Sequence, residues 1–437
     1  MHDVIVIGAG LAGLRCAQLL TAHGLDVVVL EAGDAVGGRQ RTDIVDGFRL
    51  DRGFQVLNPA YPALRRSVDL DVLAMGSFPV GVQVRTAQGM AALRHPLRHP
   101  LSIVTSLRSG LVTLPDAVAL ARWAAPALVR PLSRLAQDDI PLREGWDAAG
   151  LHGPLRTAVL EPFLAGVLAE GRGDTSNAFA RLLVRYFAFG RPGLPAQGIA
   201  AVPEQLAARA RVGGATIRLG AAVERLSGEG RANGTGIQVG VVDGDPVRAA
   251  RVVVAVGPDA VADLTGLPSP VTHGLQTWWF AAAEPPTRSA LLTVDGRRRG
   301  PVVNTVVMTH TVPSYAPAGR HLIAATCLLP GTDSGTGSRA ATVTATATTQ
   351  ENDVRHHLAQ IWGADVSAWE VIRRDDIVDA LPAQPAPLGP PRSPRHSERL
   401  YIAGDHRDTA SIQGALASGE RAARAILSDA GISGTRG

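Results

Sequence analysis

Lysine is absent from this chain: its 437 residues contain 43 basic side chains, all arginine, against 39 acidic ones. The resulting formal charge of +4 is too small and too scattered to lay a nucleic-acid track along the surface. Cysteine is nearly absent too. Cys16 and Cys327 lie far apart with no CxxC pair, which excludes a zinc site and a disulfide framework and fits a reducing cytoplasm. Long apolar runs are missing as well: the uncharged stretches at 265–283 and 301–319 are broken by proline and polar residues, which excludes a spanning helix. The start, MHDVIVIGAG, carries neither a basic n-region nor a cleavage site, so no secretory signal is expected and the cytoplasm is the expected location. What remains is an ordinary globular composition, 46% hydrophobic and 19% charged, in a chain long enough for two domains.

The first 31 residues read as strand, tight turn, helix, strand. DVIVIG and LDVVVLE are β-branched and apolar, and LAGLRCAQLLTAHG between them has helical spacing, so they form one βαβ unit of a parallel sheet. From about 90 to 190 the texture becomes Leu, Ala and Arg at helical intervals, read as cap helices, and 215–257 returns to short strands of the first unit. Residues 275–330 alternate like antiparallel strands with an Asp-Gly turn signal at 295–296, and GTDSGTGSRAATVTATATTQEN reads as a low-complexity connection. DVRHHLAQIWG reads as helix, WEVIRRDDIV as strand, and RLYIAGD through SIQGALASGERAARAIL as a closing strand, loop and helix. The fold class expected is therefore α/β: a Rossmann-like dinucleotide domain from 1–75, 195–265 and 390–437, and a discontinuous α+β substrate domain from 76–194 and 266–389, combining a helical cap with an antiparallel sheet.

Gly8, Gly10 and Gly13 make GxGxxG at the strand-to-helix junction: the first for the tight turn, the second for close approach of a pyrophosphate, the third for helix-strand packing. Glu31 ends the second strand about 20 residues on, where its carboxylate can accept both ribose hydroxyls. NAD and FAD suit this acid equally well. The next segment, VGGRQRT at 36–42, adds a glycine pair and Arg39 and Arg41, a loop that can wrap a pyrophosphate from its other side with charge-assisted bonds. A cofactor that must exchange has no need of such an enclosure, so the loop favours a resident flavin.

VIVIGAGLAGLRCAQLL…VVVLEAGDAVGGRQRTD resembles the N-terminal signature of the FAD-dependent amine oxidase, protoporphyrinogen oxidase and phytoene desaturase superfamily, whose members have a flavoprotein fold of this two-domain kind. GFRLDRGFQVL at 47–57 resembles that family's strand under the flavin ring, and IAGDHRDTASIQGALASGERAARAIL its closing motif. EPFLAGVLAEG and GLPAQGIAAVPEQLA look like desaturase-type members. The resemblance implies non-covalent FAD held by Gly8, Gly10, Gly13, Glu31, Gly38, Arg39, Arg41, Gly53, Val223, Gly404, Asp405, Ile412 and Gly414. Within that set it puts the backbone of Val223 at the adenine, Asp405 near the ribityl and phosphate region, and the N–H groups of the helix opening near Gly414 at the flavin N1 and O2 edge, where a positive helix end stabilises the anionic reduced ring.

The amine oxidases of this superfamily use a lysine bridged by water to flavin N5 and an aromatic cage. This chain has no lysine, and the cage position falls on Ser411. No cysteine follows Cys327, so covalent attachment of FAD through a C-terminal cysteine is excluded. The resemblance then implies the desaturase side of the family: hydride abstraction from a small apolar or polycyclic molecule, which needs positioning and dryness more than a base. Gln55 and His406 are the candidate polar groups at the ring, weighed against Gln55 merely bonding the flavin and His406 facing solvent. No second GxGxxG opens a helix, so electrons are expected to pass to dioxygen, a quinone or a protein; redox-neutral isomerisation, an amine or amino-acid oxidase with a rewired site, and a flavin-holding scaffold without turnover stay open. No metal site is expected: prolines break HPLRHP at 95–100, and His356 and His357 point apart on a helix. Arg297 to Arg299 read as an exposed turn. Phe163, Tyr186, Phe187, Trp278, Trp279 and Tyr315 are candidate cavity aromatics, with core packing the default for each. Leu, Ala and Arg over 90–135 suit either cavity-covering helices or a peripheral membrane contact.

Overall fold

The computed structural model describes residues 1–94, 106, 108–228, 236–329 and 350–432. HPLRHP and most of the low-complexity stretch lie outside the described residues. The opening unit forms as the pattern dictates. The strand β1 (His2–Ile7) and β2 (Val27–Leu30) pair in parallel from Val4 opposite Val27 to Ile7 opposite Leu30, and the helix α1 (Leu11–Thr21) crosses between them. Val4 to Val6 and all four residues of β2 are buried, the signature of a sheet covered on both faces.

Around this unit runs a seven-stranded sheet in the order Val223–Ser227, Ile237–Val241, Val247–Val254, β1, β2, Thr216–Arg218. Val247–Val254 is shared along one edge. Its first residues pair antiparallel with Ile237–Val241, and Val252 to Val254 pair in parallel with Leu400–Ile402. The return of the chain to this sheet at 215–257 and again at its end matches the alternation of sequence texture. A second seven-stranded sheet follows the order Glu370–Pro382, Thr272–Ala282, His321–Leu328, Val302–Val307, Leu292–Asp295, Gly81–Arg85, Met90–Arg94. Its last strand corrects the reading of residues from about 90 onward as helical: MAALR pairs antiparallel with Gly81–Arg85, because an edge strand needs only one buried side chain, here Leu93, and alanine-rich composition carries no strand signal.

Helices Leu114–Val129, Leu142–Ala149, Glu161–Leu168 and Asn177–Phe189 cover the second sheet's flank. They share a core of Trp123, Trp146, Leu151, Leu164 and Phe179, and the indole of buried Trp123 donates to Asn177 Oδ1 at 2.7 Å. The Asp-Gly signal at 295–296 lies where expected between Leu292–Asp295 and Val302–Val307, but it opens a longer loop than a two-residue hairpin. Arg297 is not exposed there: it forks onto buried Asp295, which also accepts from His357, and Arg298 pairs with Glu161. His357 is thus a structural histidine.

The last helix, Ile412–Asp429, lies along α1 so closely that a Cβ on Gly419 would stand 2.2 Å from Ala12 O. Arg15 of α1 donates to Glu420 at 2.8 and 3.2 Å, both side chains buried, and Arg66 reaches the other carboxylate oxygen at 2.9 Å. Removing one partner of such a pair leaves an uncompensated buried charge, so Glu420→Ala is expected to cost about 3–5 kcal/mol of unfolding free energy, read in chemical denaturation.

Asp51 is a second buried node. Its carboxylate accepts from Thr42 Oγ1 at 2.6 Å, Ile199 N–H at 3.0 Å and Tyr315 O–H at 2.9 Å, and burial pushes its pKa up to about 6 against those three donors. The folded state therefore holds this proton more tightly than the unfolded chain does. The stability linked to Asp51 is full below about pH 4 and is lost as pH rises past about 6, on the order of 3 kcal/mol. Urea denaturation of wild type and Asp51→Asn at pH 4 and 7.5 should show the wild type losing stability relative to the variant by about that amount.

Candidate functional site

Three glycines of the opening turn meet three different surroundings. Gly8 has φ +99°, and a Cβ there would stand 2.6 Å from Ala255 O; a Cβ on Gly13 would stand 2.0 Å from Gly8 O. Neither position accepts a side chain. Gly10 has an ordinary extended backbone, and nothing lies within 4 Å of where its Cβ would be. Space is thus left over the start of α1, where helical N–H groups have no partners of their own.

The glycine pair at 37 and 38 closes onto this turn. Gly37 N–H donates to Ala9 O at 2.8 Å, Gly37 bridges Gly10, and a Cβ on Gly38 would stand 3.5 Å from Gly10 Cα. Glu31 accepts from Ala9 N–H at 2.6 Å through one oxygen and from Gly33 N–H at 2.9 Å through the other, so the acid that ends β2 also fixes the turn. Its backbone carbonyl takes Ala221 N–H at 2.8 Å, which carries the chain directly to half-buried Val223.

Arg39 spans the gap between the two chain ends. One guanidinium nitrogen donates to Asp405 Oδ1 at 2.7 Å and another to Ala380 O at 2.9 Å. Burial works against its charge, but the carboxylates of Asp405, Asp379 and Asp259 together more than offset this and raise its pKa. Although protein surrounds it, the side chain keeps 35% of its surface accessible, which places it on the wall of a concavity. Arg41, expected at the pyrophosphate, pairs with exposed Asp34 at 2.7 Å and lies beside Gly33. Gly53 lies against the long strand Glu370–Pro382: a Cβ would meet Ile377 Cδ1 at 2.4 Å, and its N–H points at Asp375 Oδ2 at 3.4 Å.

At the other end, Gly404 N–H donates to Ser418 Oγ at 3.1 Å and Ser411 caps the last helix by accepting Gly414 N–H at 3.0 Å. The N–H expected from Gly414 toward a flavin is therefore already used, and the helix opening offers those of Ile412 and Gln413 instead. A small recess of about 10 Å³, lined by the apolar Leu168, Phe179, Leu381, Pro382 and Ala410 and the polar Thr175, His273 and Gln384, lies beside this helix start.

The two candidate ring-side groups are occupied otherwise. Gln55 donates to Arg39 O at 2.8 Å and Arg52 O at 3.1 Å and accepts from Gln40, so it braces the two ends of the hairpin Thr42–Val45 and Phe48–Asp51. His406 does not face solvent: it is 8% exposed, packed against Gly404, and burial lowers its pKa to about 4. Both ring nitrogens are sealed and unpartnered, out of a substrate's reach. Trp278, Trp279 and Tyr315 are core residues: Trp278 Nε1 bonds Gln276, Trp279 Nε1 bonds Asp375, and Tyr315 bonds Asp51. Phe163, Tyr186 and Phe187 are half-buried, as cavity aromatics would be. Sequence reasoning missed Tyr61, which stacks edge to face on Tyr186; an isolated tyrosine in NPAYPALRR carries no signal of its own.

Comparison with known proteins fits this crevice. The profile of the flavin containing amine oxidoreductase family matches residues 11–427. The chain belongs to that family. Membership makes it a flavin-dependent oxidoreductase, and the open space at Gly10, the helix starts and the acid at Glu31 suit the dinucleotide the family carries. The chain is 28% identical to hydroxysqualene dehydroxylase of Rhodopseudomonas palustris over 97% of its own length and 98% of that protein's. It is 49% identical to putrescine oxidase of Kocuria rosea, but over only 16% of this chain and 14% of that protein. An oxidoreductase structure from Methanosarcina mazei superposes with a TM-score of 0.74 at 18% identity, covering 98% of this chain and 100% of the other, and cyclohexylamine oxidase of Brevibacterium oxydans with 0.63 at 18%, covering 98% and 99%. At such identities these structures share the fold.

Gly10 and Gly13 separate cofactor from scaffold. Gly10→Ala is expected to leave the melting temperature of the flavin-free protein unchanged and to weaken FAD binding at least tenfold, read by quenching of flavin fluorescence. Gly13→Ala is expected to lower the melting temperature itself.

Proposed function

We propose that this protein holds FAD without a covalent bond and transfers hydride between the flavin and an uncharged, largely apolar small molecule. The observation that carries this reading is Ser411. Where the family's amine oxidases place a cage aromatic, this chain has a helix cap, and it has no lysine to serve the flavin. Bound flavin would supply hydride exchange at its N5. The chain's own part is to hold and exclude. Glu31 and the Gly8–Gly13 turn would hold the adenosine end. The Arg39–Asp405 pair would set charge beside the diphosphate and ribityl chain, and the N–H groups at Ile412 and Gln413 would favour negative charge on the ring. Leu168, Phe179, Leu381 and Ala410 would present apolar surface to the substrate beside the helix start. Similarity to hydroxysqualene dehydroxylase across the whole chain supports a substrate of the isoprenoid kind. Dioxygen, a quinone or a protein would complete the electron balance.

Anaerobic mixing with isoprenoid and polycyclic candidates, amines and amino acids, followed by flavin absorbance, tests the reading. Bleaching by an apolar candidate and none by putrescine or benzylamine is expected; bleaching by amines alone would establish the amine-oxidase alternative. Acid precipitation should release all the flavin into the supernatant, and Glu31→Ala should purify with most of it lost.

The helix Leu114–Val129 supports a peripheral contact with an anionic bilayer. No helix among the described residues is long and apolar enough to cross a membrane. Leu114, Val118 and Val129 are 74%, 62% and 82% exposed along one stripe of this helix, and Arg122, Arg130 and Arg134 are exposed beside it. Flotation with phosphatidylglycerol vesicles at low salt should carry the protein upward, and Leu114→Glu with Val118→Glu should abolish this. Wild type that stays at the bottom would overturn the contact.

A further inference from the structure

Tyr61 ends the loop that leads from Gly53 into the helix Pro62–Ser67, and that helix is tied to the start of the last helix by Ala63 N–H donating to Gln413 Oε1 at 2.8 Å. Tyr186 comes from the opposite side, on the cap helix Asn177–Phe189, whose end at Gly190 packs on Asn58. The two rings meet edge to face, with centroids 4.8 Å apart and planes at 89°. Protein encloses both residues, and burial raises both phenol pKa values, so both stay protonated donors through neutral pH. Yet both keep accessible surface, and neither phenol oxygen has a hydrogen-bond partner among the described residues. An accessible, unpartnered hydroxyl is free to bond a ligand, unlike one in a packed core.

The ring pair itself carries no charge. Arg185 and Asp408 are the charged groups that act on Tyr186, and Asp408 is itself taken up by Arg421 and by the Thr409 N–H. The perpendicular geometry uses one ring face to receive the other ring's edge, so the pair cannot sandwich a cation between two faces. Two O–H donors beside aromatic carbon match an oxygen with two lone pairs on a hydrocarbon body.

We propose that Tyr61 and Tyr186 form the substrate-positioning wall at the start of the last helix, where their phenols hold the oxygen of an uncharged, largely hydrocarbon alcohol. The assignment rests on the proposed function and names the substrate class of that same site.

The test uses FAD-loaded wild type, Tyr61→Phe, Tyr186→Phe and the double variant, titrated anaerobically with farnesol, with the hydrocarbon farnesene and with benzylamine, following the flavin spectrum and intrinsic fluorescence. Phenylalanine keeps the ring pair and removes only the hydroxyls. Wild type should bind farnesol at least ten times more tightly than farnesene, each single variant should lose part of that preference, and the double variant all of it, with farnesene affinity unchanged throughout. Equal binding of farnesol and farnesene by yellow wild type, equal weakening of both in the variants, or benzylamine binding lost with the hydroxyls would overturn the assignment while leaving the flavin reading intact. A wild type that retains no flavin overturns the proposed function instead, and fluorescence then reads the farnesol preference on its own.

Discussion

Backbone meeting backbone without side chains between is the constraint on which this molecule depends. Gly8 abuts Ala255, Gly13 abuts Gly8, and Gly419 abuts Ala12, each at a distance that a single methyl group would violate. These contacts bring residues from the first turn, the middle of the chain and the last helix to one place. Hydrophobic burial alone would tolerate many packings of α1 against the last helix. The glycines select one, and in that arrangement the 37–39 loop reaches both the opening turn, through Gly37 and Ala9, and the return of the chain, through Arg39 and Asp405.

Arginine does the joining throughout, which gives the lysine-free composition a structural meaning. Arg373 donates to Asp43, to the carbonyls of Leu50 and Asp51 and to Asp375, and so fastens the Thr42–Asp51 region to the long strand Glu370–Pro382. Arg39 and Arg15 do the same between other pairs of elements. A planar fork can satisfy a carboxylate and a carbonyl at once at fixed angles, whereas an ammonium presents a single point of charge. Arg39 is held charged by the carboxylates around it, while buried His406 is kept neutral.

What was legible in advance follows from how local each signal is. GxGxxG, Glu31 and the 37–38 pair could be read because each reports a demand of backbone geometry within a few residues, and the closing strand and helix could be read for the same reason. Arg41 and Gln55 could not: their fates depend on Asp34 and on the carbonyls of Arg39 and Arg52, and which neighbour wins is decided by where the loop turns. The tryptophans at 278 and 279 were ambiguous because burial against a strand and burial against a ligand give the same composition; only their bonds to Gln276 and Asp375 assign them to the core. Tyr61 lacked even a cluster to point to it, since its partner Tyr186 lies on a separate helix 125 residues away by the numbering of the chain.

The absence of lysine and the serine at 411 acquire force only together with the structure. A missing base could be replaced by a histidine or a carboxylate at the same place, but the candidates do not stand there. His406 is sealed, Gln55 is spent on backbone carbonyls, and Asp405 is paired with Arg39. The base that does line the recess beside the helix start is His273, whose pKa burial lowers, so its imidazole is neutral and able to accept a proton. An uncharged molecule that gives hydride to a flavin is left as a cation and must lose a proton as well, so it too needs an acceptor, besides a carbon held close and dry. The recess beside Ala410, the Tyr61–Tyr186 pair and the helix start at Ser411 are thus the parts on which the proposed choice of substrate rests.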